Sequence, residues 1–411
     1  MKRHAIRDAA DIARIESAPY AEFMAHGNVY RALQATAARV PERAALVYLT
    51  SGDLATAARR WSYAGLIDEI SRAARLFRRL AGADTPRVAL LLPAIPQAHF
   101  ALWGAEAVGL ACPLNYLLGE EHLAGLLRAA GCNILVALGA RDQLDLAPKV
   151  SALRQACPGL RHVLRVAGEA SLGEDFDALC AGESAQPLDI ASCAQRDTPA
   201  ALFHTGGTTG LPKLAQHTHG NQLHSAWGAA LMYATTEDDR IVNGFPIFHV
   251  AGTLVFGLST LLAGGAVILP TLLGMRDAGF MGNYWSFVER EAATLVTATP
   301  TGIATLMAVP RAGADIRNVR ALLTGGAPLP SELARAFEQQ TGIPVRNTLG
   351  MTESAGVIAI EPAAGPRVAG SCGLPLPFVH VEIAPVADPA RGAPLTVPGA
   401  PGILRLSLIH I

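Results

Sequence analysis

The residues best suited to chemistry begin after His204, where Thr205-Gly-Gly-Thr-Thr-Gly-Leu-Pro-Lys213 follows the apolar run Ala200–Phe203. Glycines let successive backbone N–H groups converge on one anion, and threonine hydroxyls add donors that can follow several phosphate oxygens. Lys213, set by the stiff Pro212 turn, supplies a cation. The chemistry this pattern suits is polyphosphate binding, with Thr205, Gly206, Gly207, Thr208, Thr209, Gly210 and Lys213 as the donors. It is not a Walker A loop, which needs Gly directly before Lys and Ser or Thr directly after it. Here Pro212 precedes the lysine and Leu214 follows. A Gly/Thr cluster by itself also suits a plain surface loop.

Four more segments carry candidate groups. Phe245-Pro-Ile-Phe-His-Val-Ala-Gly252 places His249 in an apolar run, Leu322-Leu-Thr-Gly-Gly-Ala-Pro-Leu-Pro330 is a glycine turn, and Asn347-Thr-Leu-Gly-Met-Thr-Glu-Ser354 ends on a hydroxyl beside a carboxylate. Gly370-Ser-Cys-Gly-Leu-Pro-Leu-Pro377 is rich in turn formers. Each has an ordinary alternative. A lone histidine among apolar residues is often a satisfied core residue, Gly-Gly-Ala-Pro also suits a strand-to-helix turn, and Thr-Glu often opens a helix.

Together, in this order and spacing, the five segments make the chain resemble the superfamily of AMP-forming acyl-CoA synthetases, adenylation domains and luciferases. The resemblance runs from about Val29 to Arg405. It implies that the first loop binds the β- and γ-phosphates of ATP and moves during the reaction. It also implies Mg²⁺ contacts from Thr208 and Glu353, an α-phosphate contact from Thr352, and an acceptor channel lined by His249. Thr208, Lys213, His249, Thr352 and Glu353 are then the catalytic set. AMP would lie against Gly325, Gly326, Ala327 and Pro328 and against Asn347, Thr348, Leu349, Gly350, Met351 and Thr352. The acyl pocket would draw on Phe248, His249, Val250, Gly252, Gly326 and Thr348, of which Val250, Gly252, Gly326 and Thr348 are small or apolar and suggest an apolar acid.

The implied reaction takes a carboxylic acid, ATP and coenzyme A, with Mg²⁺, through an acyl-adenylate. Two residues depart from the family's pattern: Leu349 stands where an aromatic usually covers adenine, and Leu214 follows the lysine where glycine is usual. An aliphatic side chain still covers the ring, with less stacking energy. The family's Thr-Gly-Asp segment, with its ribose-binding Asp, and the C-terminal domain that brings the adenylation lysine have no counterpart here, so a C-terminally truncated enzyme is expected. Leu406-Ser-Leu-Ile-His-Ile411 is what a transposon-type sequencing adapter encodes in frame, and is expected to be non-native. Ligation to a carrier protein, and a non-catalytic nucleotide-binding fragment, remain alternatives. A peptide-synthetase adenylation domain usually has an Asp in the pocket segment to hold its substrate's ammonium group, and Phe245–His249 has none.

These groups need rigid elements behind them, and apolar periodicity supplies a β-α-β-α rhythm. It predicts helices at Val29–Val40, Ser62–Leu80, Gln97–Val108, Glu120–Ala130, Leu146–Ala156, Gly173–Ala181, Thr218–Met232, Gly252–Ala263, Tyr284–Glu291, Thr301–Val309 and Ser331–Thr341. Strands are predicted at Ala44–Leu49, Arg87–Leu92, Ile134–Leu138, His162–Val166, Ala200–His204, Arg240–Asn243, Ala266–Leu269, Leu295–Ala298, Ala321–Thr324 and Val345–Thr348. The expected class is α/β, with two α/β subdomains whose sheets are flanked by helices; the family resemblance implies in addition the start of a small β-barrel. The expected division is an extension at 1–28, subdomains at 29–195 and 196–380, the start of the barrel at 381–405, and the tail at 406–411.

Val250–Met275 has no charged side chain and is long enough to span a bilayer. Gly264-Gly265 splits it, so a buried helix and strand are expected instead of a transmembrane segment. The first 28 residues have no apolar core of a signal peptide. A net charge of −1 with scattered arginines leaves no nucleic-acid footprint. Six cysteines without C-x-x-C or zinc spacing suit reduced thiols in a cytoplasmic protein. Nothing in the sequence indicates an oligomeric state.

Overall fold

The structure, a computed structural model, describes residues 5–189, 194–205, 213–386, 394–395 and 401–408. Its strands are β1 (Ala44–Tyr48), β2 (Arg59–Ser62), β3 (Arg87–Leu91), β4 (Leu110–Pro113), β5 (Ile134–Leu138), β6 (His162–Val166), β7 (Glu174–Asp175), β8 (Pro199–His204) and β9 (Leu214–Thr218). They continue with β10 (Arg240–Val242), β11 (Ala266–Leu269), β12 (Leu295–Thr297), β13 (Ala321–Gly325), β14 (Val345–Leu349), β15 (Ala359–Ile360), β16 (Leu374–Pro375), β17 (Val379–Ala384) and β18 (Ile403–Leu408). The helices that matter below are α1 (Ala9–Glu16), α2 (Val29–Arg39), α3 (Tyr63–Ala81), α4 (Pro96–Val108), α5 (Glu120–Ala130), α6 (Ala147–Ala156), α7 (Phe176–Ala181), α8 (His219–Met232) and α9 (Ser259–Ala263).

Two sheets organise the chain. One has seven strands in the order β7-β6-β5-β3-β4-β8-β9, and the other has nine in the order β16-β15-β14-β13-β12-β10-β11-β1-β2. Their central pairings are parallel, and antiparallel pairs close the edges at β8/β9, β1/β2 and β14/β15/β16. Strands buried on both faces read as continuous apolar runs, as Ile134–Leu138 does. The sheets exchange strands across residue 195: β1 and β2 join the nine-stranded sheet, while β8 and β9 join the seven-stranded one. Strand order in a parallel sheet is set by long-range crossovers, which local sequence does not report. Beyond Phe378 the described residues add one antiparallel hairpin, β17/β18, and no closed barrel. The hairpin's pairing runs through Leu408.

Side-chain caps set the helix starts. Asn28 accepts from Arg31 N–H at the head of α2, and Ser62 from Gly65 N–H at the head of α3. Thr218 and Asn221 form a reciprocal capping box at the head of α8. Gly131 ends α5 in the left-handed conformation, at φ 61°. In the apolar Val250–Met275 stretch, Ala251–Leu258 is a π-helix that continues into α9 before β11. Among the described residues no helix is long and apolar enough to cross a membrane. Four of the described cysteines are buried and Cys372 is half-buried, all as free thiols, while Cys193 lies outside the described residues.

Candidate nucleotide and acid site

The glycine-threonine segment expected to bind phosphate leaves from β8 and returns into β9, which pair as a hairpin. His204 pairs with Leu214, and Thr205 N–H donates to the Lys213 carbonyl at 3.0 Å, which closes the loop's base. Apolar β8 is buried inside its sheet, whereas Lys213 is exposed. Gly206, Gly207, Thr208, Thr209 and Gly210 lie outside the described residues.

The second wall comes from the ends of β13 and β14. Gly325 is buried, and a Cβ there would sit 2.8 Å from the Thr348 carbonyl, so the two strand ends meet backbone to backbone. Gly326, at φ 81°, turns the chain out, and Ala327 and Pro328 are exposed beside it. Asn347 is fixed on three sides. Its N–H donates to Glu361 Oε2 at 2.9 Å, its Nδ2 donates to the Ser371 carbonyl at 3.1 Å, and its Oδ1 accepts from Thr348 N–H at 3.0 Å. Glu361 is buried and paired with Arg367, so the Gly370–Pro377 stretch and this ion pair brace β14 from behind. The Thr348 and Tyr233 hydroxyls share a short hydrogen bond, and burial raises the Tyr233 phenol well above its ordinary value. Leu349 is half-buried, and Gly350 leads into the short 3-10 turn Thr352–Ser354.

Between these walls and the π-helix lies a cavity of about 130 Å³. Phe245, Val250, Val255 and Phe256 supply apolar lining, the strand ends and turn supply Gly325, Gly326, Thr348, Gly350, Met351 and Thr352, and His249 also lines the space. Of the residues expected around an acyl group, His249, Val250, Gly326 and Thr348 line this space, whereas Phe248 and Gly252 do not. Phe248 packs edge-on to Tyr116 at 5.7 Å and beside His204 at 6.2 Å. Gly252 is a packing position: its carbonyl accepts from Asn243 Nδ2 at 2.8 Å, and a Cβ would come within 2.4 Å of the Pro246 carbonyl.

His249 Nδ1 accepts from Ala251 N–H at 3.1 Å, which leaves its ring proton on Nε2. His249 is exposed, yet desolvation by the protein around the ring holds its pKa below the usual histidine value. His204 is pushed down to about 4, by burial first and then by the nearby His122 and His249.

One well-placed residue has no counterpart among the sequence expectations. His217, on β9, is buried, stacks on Phe203 at 5.1 Å and bonds through Nε2 to the Thr352 carbonyl at 2.7 Å. Burial drives its pKa down to about 4, against the opposing pull of the Thr352 bond and the Glu353 charge. Leu-Ala-Gln-His-Thr has no two-residue apolar alternation, so neither the strand nor its one buried side chain was visible in the pattern.

Glu353 is exposed, and among the described residues no three His, Cys, Asp or Glu side chains cluster as a metal site. One exposed carboxylate fits Mg²⁺ all the same, because that ion usually takes one or two carboxylates and completes its shell with phosphate oxygens and water. Thr208, the other expected ligand, lies outside the described residues.

The profile of the AMP-binding enzyme family matches residues 33–407, and the chain belongs to that family. It is 29% identical over 391 residues to the marinolic acid–CoA ligase of Pseudoalteromonas sp. (strain SANK 73390), covering 93% of this chain and 59% of the relative. It is 34% identical over 335 residues to the feruloyl-CoA synthase of Amycolatopsis sp., covering 80% of this chain and 62% of the relative. The chain thus spans about three-fifths of the length of these curated relatives. Among solved structures, an anthranilate CoA ligase in complex with anthranoyl-AMP superposes with a TM-score of 0.79 at 20% identity, over 93% of this chain and 69% of that one. That likeness concerns the fold.

Proposed function

We propose that the protein activates an apolar carboxylic acid with ATP and passes the acyl group to coenzyme A. The observation that carries this reading is the cavity, in which an apolar wall meets Gly350–Thr352, read here as the nucleotide segment, across one partly open space. An acid seated there has its tail against Val250, Val255 and Phe256 and its carboxylate beside Thr352. The CoA ligase relatives support the same reaction. About 130 Å³ is small beside ligand pockets of roughly 300–1,000 Å³, which favours a compact acyl group over a long chain.

In the first step a carboxylate oxygen attacks the α-phosphorus, the bond to the β-phosphate oxygen breaks, and pyrophosphate leaves. Anionic oxygens converge there, so fixed donors and cations do more than a general base. The Thr352 hydroxyl binds the α-phosphate, and Lys213 and Thr205 at the loop's base hold the leaving pyrophosphate. Mg²⁺, when bound, would be held by Glu353 and Thr208 and would supply charge neutralisation. In the second step the thiol sulfur attacks the acyl carbon, the bond to the AMP oxygen breaks, and the thiol proton goes to solvent. His249, at the mouth of the cavity, borders the acceptor's approach. Such an enzyme works in the cytoplasm, where its substrates are.

Purified protein with ATP, Mg²⁺ and a panel of acids is expected to release pyrophosphate, and mass spectrometry after adding coenzyme A is expected to find the thioester. ATP binding with no pyrophosphate from any acid would leave only a nucleotide-binding role, and thioester formation on a carrier protein alone would move the acceptor. Exclusive use of charged acids would overturn the apolar pocket. Glu353→Gln is expected to slow pyrophosphate release about a hundredfold at an unchanged melting temperature, since the carboxylate is exposed.

A further inference from the structure

The phosphate-loop hairpin and the Thr352–Ser354 turn sit on different sheets: β8 and β9 on the seven-stranded sheet, the turn directly after β14 of the nine-stranded one. The His217–Thr352 hydrogen bond crosses between them. The acceptor is a carbonyl, so Nε2–H donates and the ring proton belongs to Nε2. Nδ1 is then bare, buried and without a hydrogen-bond partner.

A leucine or phenylalanine would fill the same space against Phe203 without burying an unpaired nitrogen. The imidazole is therefore best explained by the bond it makes. Its target needs external support, because the turn ends in two positive φ angles, Ala355 at 54° and Gly356 at 111°. The Thr352 carbonyl also accepts from Ala355 N–H at 3.1 Å, so His217 ties into the turn's own hydrogen bonds. On the other side, His217 is four residues from Lys213 along a short strand paired to β8.

We propose that His217 is a positioning residue for adenylation, a strap that holds Thr352 and Glu353 in register with the base of the phosphate loop. It makes no contact with substrate. The inference rests on the reading of Thr352–Glu353 as a nucleotide segment. It adds that the two sheets grip one phosphate chain together only while this bond is made. Without it the turn drifts relative to Lys213, and small misplacements of groups around a reacting phosphorus cost large factors in rate.

The test compares His217→Leu, which keeps the packing and loses the donor, with His217→Gln and His217→Asn, which keep an N–H donor. His217→Leu is expected to slow acyl-adenylate formation about ten- to a hundredfold in kcat/KM for ATP, through weaker nucleotide binding as well as a lower kcat. Thioester formation from chemically prepared acyl-adenylate and coenzyme A is expected to change less than about threefold, because pyrophosphate has already left. One of the amide variants is expected to recover most of the loss. Affinity for a non-hydrolysable ATP analogue is expected to follow the same order, a readout that needs no turnover. Wild-type adenylation by His217→Leu would overturn the inference, as would equal losses in both half-reactions tracking a fall in melting temperature. If the unaltered protein binds the analogue but adenylates no acid, the functional reading is what fails, and the analogue affinities still judge the strap.

Discussion

Gly350→Ala is expected to abolish nucleotide binding and to destabilise the chain by about 3 kcal/mol or more. A Cβ at this position would lie 1.7 Å from the Gly356 carbonyl oxygen and 2.7 Å from its carbon. Both are backbone atoms, so no rotamer change relieves the clash, and the turn from 350 to 356 has to open. That turn is closed by Gly356 N–H to the Met351 carbonyl at 3.0 Å and by Ile358 N–H to the Leu349 carbonyl at 2.9 Å. Opening it carries Thr352 and Glu353 away from the loop's base and breaks the His217 bond. Gly326→Ala is the control in the same cavity. It meets nothing within 4 Å but sits at φ 81°, so it is expected to cost about 1 kcal/mol and leave affinity within a few-fold. Melting curves and titration with a non-hydrolysable ATP analogue read both variants. A folded Gly350→Ala protein with unaltered affinity would refute the backbone approach.

The contrast between these two glycines shows what local sequence can carry. Gly325, Gly326 and Gly350 stand out equally as motif letters, yet Gly325 and Gly350 are close backbone approaches of different severity and Gly326 is a positive-φ turn facing open space. Elements with local signals were legible to the residue. Glu120–Ala130 ends on a left-handed glycine, Ile134–Leu138 is wholly buried, and Ser331–Thr341 runs from a proline to Gly342. Elements that depend on distant partners were not. β2 and β9 are edge strands that exist because β1 and β8 pair with them, and their polar residues give no alternation to read. α1 rests on Asp8, which caps Ala10 and Asp11, in a segment whose scattered charges mask its short apolar face.

The site divides the same way. Of the residues that the five motifs single out for an acyl pocket, His249, Val250, Gly326 and Thr348 line one cavity. Gly252 lies on the π-helix Ala251–Leu258, whose wide turn is absent from ordinary helical periodicity, and Phe248 lies in the turn before it. Likewise, His217 becomes meaningful only once the two sheets are side by side.

Folding stability is expected to peak near pH 6.5 and fall on both sides, and Glu106→Gln is expected to remove the alkaline fall. Burial alone pushes His99 down to about 4; burial, as the leading cause, does the same to His204, His217 and His219. The unfolded chain protonates these rings at about 6.5, so it binds more protons than the fold between pH 6.5 and 4, and stability falls as pH drops through that window. Glu106 has the opposite sign. Burial raises it to about 8, only partly offset by the Gln222 Nε2 bond at 2.9 Å. The fold then keeps a proton that the unfolded chain has lost above about 4.3, so stability declines as pH rises toward 8 and levels off above it.

Four histidines outweigh one carboxyl below pH 6.5, whereas above that pH Glu106 acts without them, which places the maximum. The remaining fall from pH 6.5 to 8 amounts to about 2 kcal/mol. A neutral carboxyl also suits its surroundings. Glu106 Oε2 and Gln222 Oε1 both lack partners, and a proton on Oε2 makes it a donor in a pocket that otherwise offers that amide only a carboxylate. An amide at position 106 keeps the acceptor for Gln222 Nε2 and does not titrate. Melting temperatures at pH 5, 6.5 and 8.5 are expected to rise and then fall for the unaltered protein, and to rise and stay level for Glu106→Gln. An unaltered protein as stable at pH 8.5 as at 6.5 would show that Glu106 is ionised in the fold.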